Sequence, residues 1–446
     1  MLRLSLPEEL AGDLMRAAEK TLSFDSSIRI FSHHDADGVS AASILAISLA
    51  RAELPFQITI INEMKDSVYE AMEKEGDGLV IFSDIGSGDA DKLEKVDADV
   101  IVLDHHRPLD GKFDIIEINA HRYGVDGTKE ASGSTMAFLF ALAIDGGNLD
   151  LAHLSLSGST GDRQHVGGFQ GINKKIAELA VDEGILTISR GLNLPDLPLA
   201  ESVASSYSPF FREISGRPDK AKELIESLKL NPKKRLSELG EEEEKKLASM
   251  LMVKLLKQGC RDDVADELIT WRYTHNKSGL RVDDISSFLD AAVREDAGMA
   301  VAAGMGDEQA ILRAKEIRSR HSQEIMNSLL TLEKSGARQM KHIQWFWTYS
   351  KEVASAQTGI GMQYLLNQEK PAFGLTETEG DKLKISARGT KYLISKGLNL
   401  TEVCRAASQV GGRGGGHNIA SGCTIPADRK KEFLKIADDI VGSQIH

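Results

Sequence analysis

The chain has 446 residues, 41% hydrophobic and 27% charged, with a formal net charge of −13. Its length calls for two or three domains, and its acidity argues against non-specific coating of nucleic acid, though not against guiding a strand along a local basic surface. No apolar run approaches the ~20 residues that span a bilayer. The opening MLRLSLPEEL is acidic where a signal peptide keeps its apolar core, so a cytoplasmic protein without a membrane partner is expected. Cys260, Cys404 and Cys423 are widely spaced and form no CxxC pair, which argues against a disulfide framework or zinc knuckle.

From residue 28 to 119, short runs rich in Ile, Val and Phe alternate with amphipathic stretches. The runs are IRIFS (28–32), FQITIIN (56–62), GLVIFSD (78–84), DVIVLDHH (99–106) and DIIEIN (114–119). Each has the length of a strand buried on both faces, while VSAASILAISLARAEL and KDSVYEAMEKEG have helical spacing. This alternation predicts an α/β domain with a mostly parallel sheet, whose chemistry should gather at the C-terminal ends of its strands. Residues 130–192 read as mainly helical, and so does the middle of the chain. Within it, PKKRLSELGEEEEKK (232–246) reads as an exposed helix face or linker. A second β-containing region runs from IQWFWTYS (343–350) through KPAFGLTE and KLKISARG to VGGRGGGHNIASG (410–422). The expected division is 1–185, 186–335 and 336–446, the last a smaller α/β domain.

Three predicted strand ends finish on metal-ligand residue types: His33 to Asp37 in HHDADG, Asp84 in SDIG, and Asp104, His105 and His106 in LDHH. A helical segment ends in STGD at Asp162. One such Asp could simply cap the next helix. Three at one sheet edge, with a fourth from a helix end, are not explained by capping. Mixed carboxylates and imidazoles suit Mn²⁺ before Mg²⁺ or Zn²⁺, and their number exceeds the need of one ion. Two ions sharing a bridging carboxylate would clamp the attacking and leaving oxygens of a phosphoryl transfer.

These four motifs, in this order, resemble those of the DHH phosphoesterases. The ending KISARG…GGRGGGHNIASG resembles their associated substrate domain. The SHHDADG opening, STGDRQ and the glycine-rich ending are together most similar to archaeal RecJ-like single-strand exonucleases. The resemblance implies that Asp35 and Asp84 hold one ion, with His33 a further candidate ligand. Asp37, Asp84, His105 and Asp162 would hold the second, so that Asp84 bridges. It implies that His106 contacts the scissile phosphate, that Asp104 orients a neighbouring imidazole, and that Arg388 and His417 meet substrate phosphate and sugar. It also implies a cleft between the metal and associated domains, a two-Mn²⁺ enzyme (Mg²⁺ as substitute) acting on single-stranded nucleic acid, and contact with GINS or the replicative helicase. Small-substrate hydrolysis and a scaffold role are the alternatives.

Other features are read in two ways: a basic stretch and a glycine run near the C-terminus are either a strand-binding surface or a solvated face and a flexible turn. Residues 381–417 hold seven basic side chains against Asp381 and Glu402, a local charge of +5 in an acidic chain. Gly411, Gly412, Gly414, Gly415 and Gly416 read as a loop whose bare backbone N–H groups could form an anion nest. Ser132 to Thr135, at a helix start, read as a cap or as further donors. Trp345, Phe346, Trp347 and Tyr349 read as core packing rather than base-stacking residues.

Overall fold

The computed structural model describes residues 4–75 and 78–445, so Gly76, the last residue of the KDSVYEAMEKEG stretch, and the first three residues of the opening lie outside it. The N-terminal sheet contains β1 (Ile28–His33), β2 (Phe56–Ile61), β3 (Gly78–Ser83), β4 (Ala98–Asp104) and β5 (Ile116–Asn119). Its order is β2-β1-β3-β4-β5, and every neighbouring pair is parallel.

The alternation along each strand explains why both faces are covered. Ile28 and Ile30, Leu79 and Ile81, and Ile101 and Leu103 enter one large core with the helices Glu8–Leu22, Ala36–Arg51 and Gly133–Ile144. Their sequence neighbours Phe31, Val80, Phe82, Val100 and Val102 point the other way, against Val68, Met72 and Leu93. Phe31 and Phe82 stack with centroids 5.2 Å apart. Full burial of such a side chain contributes about 1.5–3 kcal/mol. The helix Ala36–Arg51 is buried on nearly every side, which its Ala, Ser and Gly residues allow. At Gly38 a Cβ would lie 2.2 Å from the His33 carbonyl oxygen, so the helix can begin here only without a side chain.

The chain forms two compact units: residues 1–190 with 270–319, and residues 191–269 with 320–446. The middle region 186–335 is thus shared between them. Its helix Val282–Val293 packs on Ala36–Arg51 and Ala152–Gly161 in the first unit. The mainly helical reading of 130–192 needs correction at its end, where β6 (Leu186–Leu192) pairs with β7 (Ile269–His275) in a two-stranded sheet. β-branched Thr187 and Ile188 favour an extended chain, and the pairing partner lies some eighty residues away. In the 232–246 stretch, Leu236 is buried and Lys234 pairs with Glu243 at 2.5 Å, so this segment is anchored to its unit. A helix then begins at Glu241.

The second unit contains a six-stranded sheet of order β12-β13-β11-β10-β9-β8. Its strands are β8 (Arg338–Gln339), β9 (Gln344–Trp347), β10 (Ala372–Thr378), β11 (Lys382–Arg388), β12 (Arg413–Gly416) and β13 (Ala420–Pro426). Gly414, Gly415 and Gly416 are therefore part of an edge strand rather than a loop nest, with Gly411 and Gly412 in the turn before it. Gly414 lies where a Cβ would meet the Cys404 carbonyl and the Cys423 Cβ, each at 2.4 Å, so glycine is required for close packing. The aromatic cluster divides: Trp345 and Phe346 are buried, whereas Trp347 and Tyr349 are exposed. No helix among the described residues is long and apolar enough to cross a membrane.

Candidate metal centre

Because β1, β3 and β4 are parallel neighbours, His33, Asp84 and Asp104 to His106 come to one edge of the sheet. The turn after each strand aims the side chains. Asp35 caps the helix Ala36–Arg51, taking the Gly38 N–H at 3.0 Å, and so places Asp35 and Asp37 at a helix N-terminus that favours negative charge. Asp84 has φ of 58°, the left-handed region, where few residues other than glycine settle without a local reason. After β4, one oxygen of Asp104 accepts the N–H groups of both His105 (2.7 Å) and His106 (3.1 Å), and this turn splays the two imidazoles. Asp162 arrives at the C-terminal end of Ala152–Gly161.

Three groups of donors result, and all lie within the first unit: His33, Asp35 and Asp84; Asp37, His105 and Asp162; and Asp84 with Asp104, His105 and His106. His105 Nδ1 donates to the Gly127 carbonyl at 2.6 Å, so Nε2 turns its lone pair towards the carboxylates. That nitrogen lies 3.1 Å from Asp84 and 3.2 Å from Asp162. Neighbouring ligands of an octahedral cation with bonds of ~2.1 Å stand about 3 Å apart. Both oxygens of Asp84, His105 Nε2 and His33 Nδ1 are buried without a hydrogen-bond partner. Orphaned lone pairs that converge at this spacing fit a divalent cation. The donor set is suited to the metal.

The charges show the same frustration. Burial, together with Asp84 and Asp162, pushes the Asp37 carboxyl well above the usual range. Burial pushes Asp162 up to about 7. Burial alone would raise Asp84 too, but the facing His105 and His33 imidazoles hold it well below the usual range. His33 is pushed up to about 10, chiefly by its contact with Asp35. His105 is also raised, Asp84 outweighing the effect of burial. Without a cation, the cluster retains protons in its place.

A stability test follows from these directions. Asp162 rises from 3.8 to about 7 on folding, and His33 from 6.5 to about 10. The folded state then binds more protons than the unfolded chain, and stability falls as pH rises through these intervals. Chelated protein should melt progressively lower between about pH 6 and 9. Added Mn²⁺ should restore the loss by a margin that grows with pH. A margin independent of pH, read by scanning calorimetry, would contradict this.

Other residues support the site. Asp37 accepts the backbone N–H groups of Gly133 (2.6 Å) and Ser134 (3.1 Å) and the Ser132 hydroxyl (2.8 Å). Three donors of residues 132–134 are thus turned on a candidate ligand rather than on a substrate phosphate, while Ser132 also caps its helix. Asp104 holds His106 Nδ1 at 2.9 Å, raising that imidazole's pKa, and the His106 side chain is 55% exposed where Asp84 is 1%. Sequence reading missed Asn119, at the end of β5, which donates to the His106 carbonyl and to Ser87 Oγ, both at 2.8 Å. The edge rule that found the other motifs also applied to it.

In the second unit, Arg388 closes β11 beside Ala420, next to the β12–β13 turn that carries His417. Its guanidinium donates to the Ala387 and Ser421 carbonyls and to Ser355 Oγ, all neutral, and burial pushes its pKa down. Gly414, Gly415 and Gly416 occupy the neighbouring edge strand, with Gly415 facing open space.

Comparison with known proteins agrees with this layout. Residues 27–159 match the DHH family N-terminal domain, and residues 343–443 match the DHHA1 domain. An uncharacterized protein of Methanocaldococcus jannaschii is 31% identical over 440 residues, covering 96% of each chain. The chain belongs to the DHH superfamily. Among solved structures, this DHH protein is similar to exonuclease RecJ bound to manganese, with TM-score 0.62, 16% identity, and 98% and 96% of the two chains covered. RecJ of Thermus thermophilus in complex with Mn²⁺ gives 0.60 at 17% identity, covering 98% of this chain and 55% of that one. CDC45 of Entamoeba histolytica gives 0.65 at 12% identity, with 98% of both covered. These likenesses establish a RecJ-like fold.

Proposed function

We propose that this DHH protein is a metal-dependent exonuclease that hydrolyses phosphodiester bonds of single-stranded DNA or RNA with a pair of Mn²⁺ ions, Mg²⁺ being the substitute. Asp84 carries the reading: its two orphaned oxygens lie between one group of ligands around His33 and Asp35 and another around Asp37, His105 and Asp162. A shared carboxylate between two such groups is what a two-ion site requires. Paired divalent ions supply Lewis acidity, neutralising phosphate charge and making water more acidic.

The chain's own groups do the rest. His106, steered by Asp104 through Nδ1, keeps Nε2 to donate to a phosphate oxygen from its exposed position. The raised pKa of His106 favours the imidazolium, the stronger donor. In the DHHA1 unit, Arg388 has no carboxylate among its hydrogen-bond partners and is suited to an anion, with His417 and the Gly414–Gly416 strand beside it. The RecJ-like resemblance adds a partner of the GINS type to the proposal, with residues 186–335 as the contact.

Arg388→Ala should raise KM for a single strand by roughly 10- to 100-fold, since a hydrogen bond to a charged group contributes about 1.5–3 kcal/mol. Bound Mn²⁺ should be unchanged. Lost metal would place Arg388 in the metal site, and an unchanged KM would remove it from the substrate. Equal rates on a long single strand and a dinucleotide would favour a small-substrate enzyme.

A further inference from the structure

A cavity of about 420 Å³ opens directly beside Asp35 and Asp162, within the first unit. Its far wall comes from the helix Val282–Val293, more than a hundred residues beyond the last metal motif. Close packing builds this wall: a Cβ at Gly161 would lie 2.8 Å from the Ala36 Cβ and 3.4 Å from Ser286 Oγ. Ser286 and Ser287 line the cavity, and Ser286 is only 4% exposed. Helical serines usually return their hydroxyl to the preceding turn, as Thr160 does to the Leu156 carbonyl at 2.7 Å. Among the described residues, no hydrogen bond involves the hydroxyl of Ser286 or Ser287. Two hydroxyls, one of them almost wholly buried, thus face a cavity without a protein partner.

The remaining lining restricts the occupant. Asp283 is held by Arg281 at 2.9 and 2.5 Å, and Asp290 takes Arg294 through both its oxygens. Arg294 is thus paired with Asp290, and the lining offers no other cation to a phosphate. It also contains no aromatic ring on which a base could stack. The size is within the ~300–1,000 Å³ of small-ligand pockets. A group that lies beside Asp35 and Asp162 is adjacent to whatever phosphate the metal centre holds.

We propose that this cavity receives the pentose of the terminal nucleotide, with Ser286 and Ser287 as specificity-determining partners for its hydroxyl groups. Hydroxyls that can both donate and accept match those of a sugar. A second phosphate would meet Asp283 and Asp290 against Arg294 as the lining's one cation, so the strand ends there. The proposal rests on the phosphodiesterase reading above and deepens it, because it explains action at an end rather than within a strand.

The test uses the full-length protein with Mn²⁺ and matched single strands carrying a hydroxyl or a phosphate at the 5′ or the 3′ end. A terminal phosphate at one end should lower kcat/KM by about tenfold or more, comparable to the cost of an unpaired buried polar group. The Ser286→Ala/Ser287→Ala variant should raise KM for the hydroxyl-ended strand about tenfold, as expected for two neutral hydrogen bonds. Its melting temperature and Mn²⁺ content should match those of the unsubstituted protein. Indifference to phosphate at both ends, or a serine variant with unchanged KM, would overturn the inference while leaving the metal centre intact. No hydrolysis of any single strand by the unsubstituted protein would overturn both.

Discussion

Asp84→Ala should abolish Mn²⁺-dependent hydrolysis, with a loss well beyond the roughly 10- to 100-fold typical of removing an outer-shell partner. The reason is its position. One oxygen lies 3.1 Å from His105 Nε2 and the other 3.5 Å from His33 Nδ1, so the same carboxylate serves both groups of ligands. The variant should still fold, because Asp84 is not part of the apolar clusters that hold the first unit together. The measurement is a single-turnover rate on end-labelled single strand after chelation and Mn²⁺ readdition. Activity within tenfold of the unsubstituted protein would show that Asp84 is not shared.

Gly133→Ala should damage the same centre without touching a ligand. A Cβ there would lie 2.4 Å from the Asp84 Cβ, 2.6 Å from Oδ1 and 2.7 Å from its Cα. Asp84 sits in a left-handed turn and is almost wholly buried, so little space surrounds it. Gly133 also donates its N–H to Asp37 at 2.6 Å, so a shift of the helix start disturbs candidate ligands of both ions. Overpacking of this kind costs about 1–3 kcal/mol of stability. Mn²⁺ affinity and hydrolysis should fall together, by about 10- to 100-fold if displacing Asp84 equals the loss of a well-placed supporting residue. Gly12→Ala is the control. It lies within a helix in open space and should stabilise by about 0.5–1 kcal/mol. If the Gly133 variant binds Mn²⁺ like the control, the close approach to Asp84 has no consequence for the metal.

Much of the N-terminal sheet was legible because its strands are short apolar runs, and because the residues that end them are chemically distinctive. His33, Asp84 and Asp104 to His106 could be placed at one edge from the β–α alternation alone. The support for Asp37 was not legible in the same way. Ser132 to Ser134 lie some ninety-five residues downstream, and only the packing of two helix starts against each other shows where their donors point. The glycine run misled for a related reason. Glycine is usual in loops, but here it lets β12 press against Cys404 and Cys423, a contact that local composition does not encode. The Val282–Val293 helix read as part of a middle region, because periodicity says that a face is apolar and not which partner covers it.

The most direct test of the two-ion centre is a count of bound Mn²⁺ by equilibrium dialysis, on the unsubstituted chain and on Asp84→Ala. The account predicts two ions per chain, bound more tightly as pH rises through about 7, where the Asp162 carboxyl gives up its proton. It predicts that Asp84→Ala weakens both. One ion per chain, or a variant that still binds two with unchanged affinity, would contradict it.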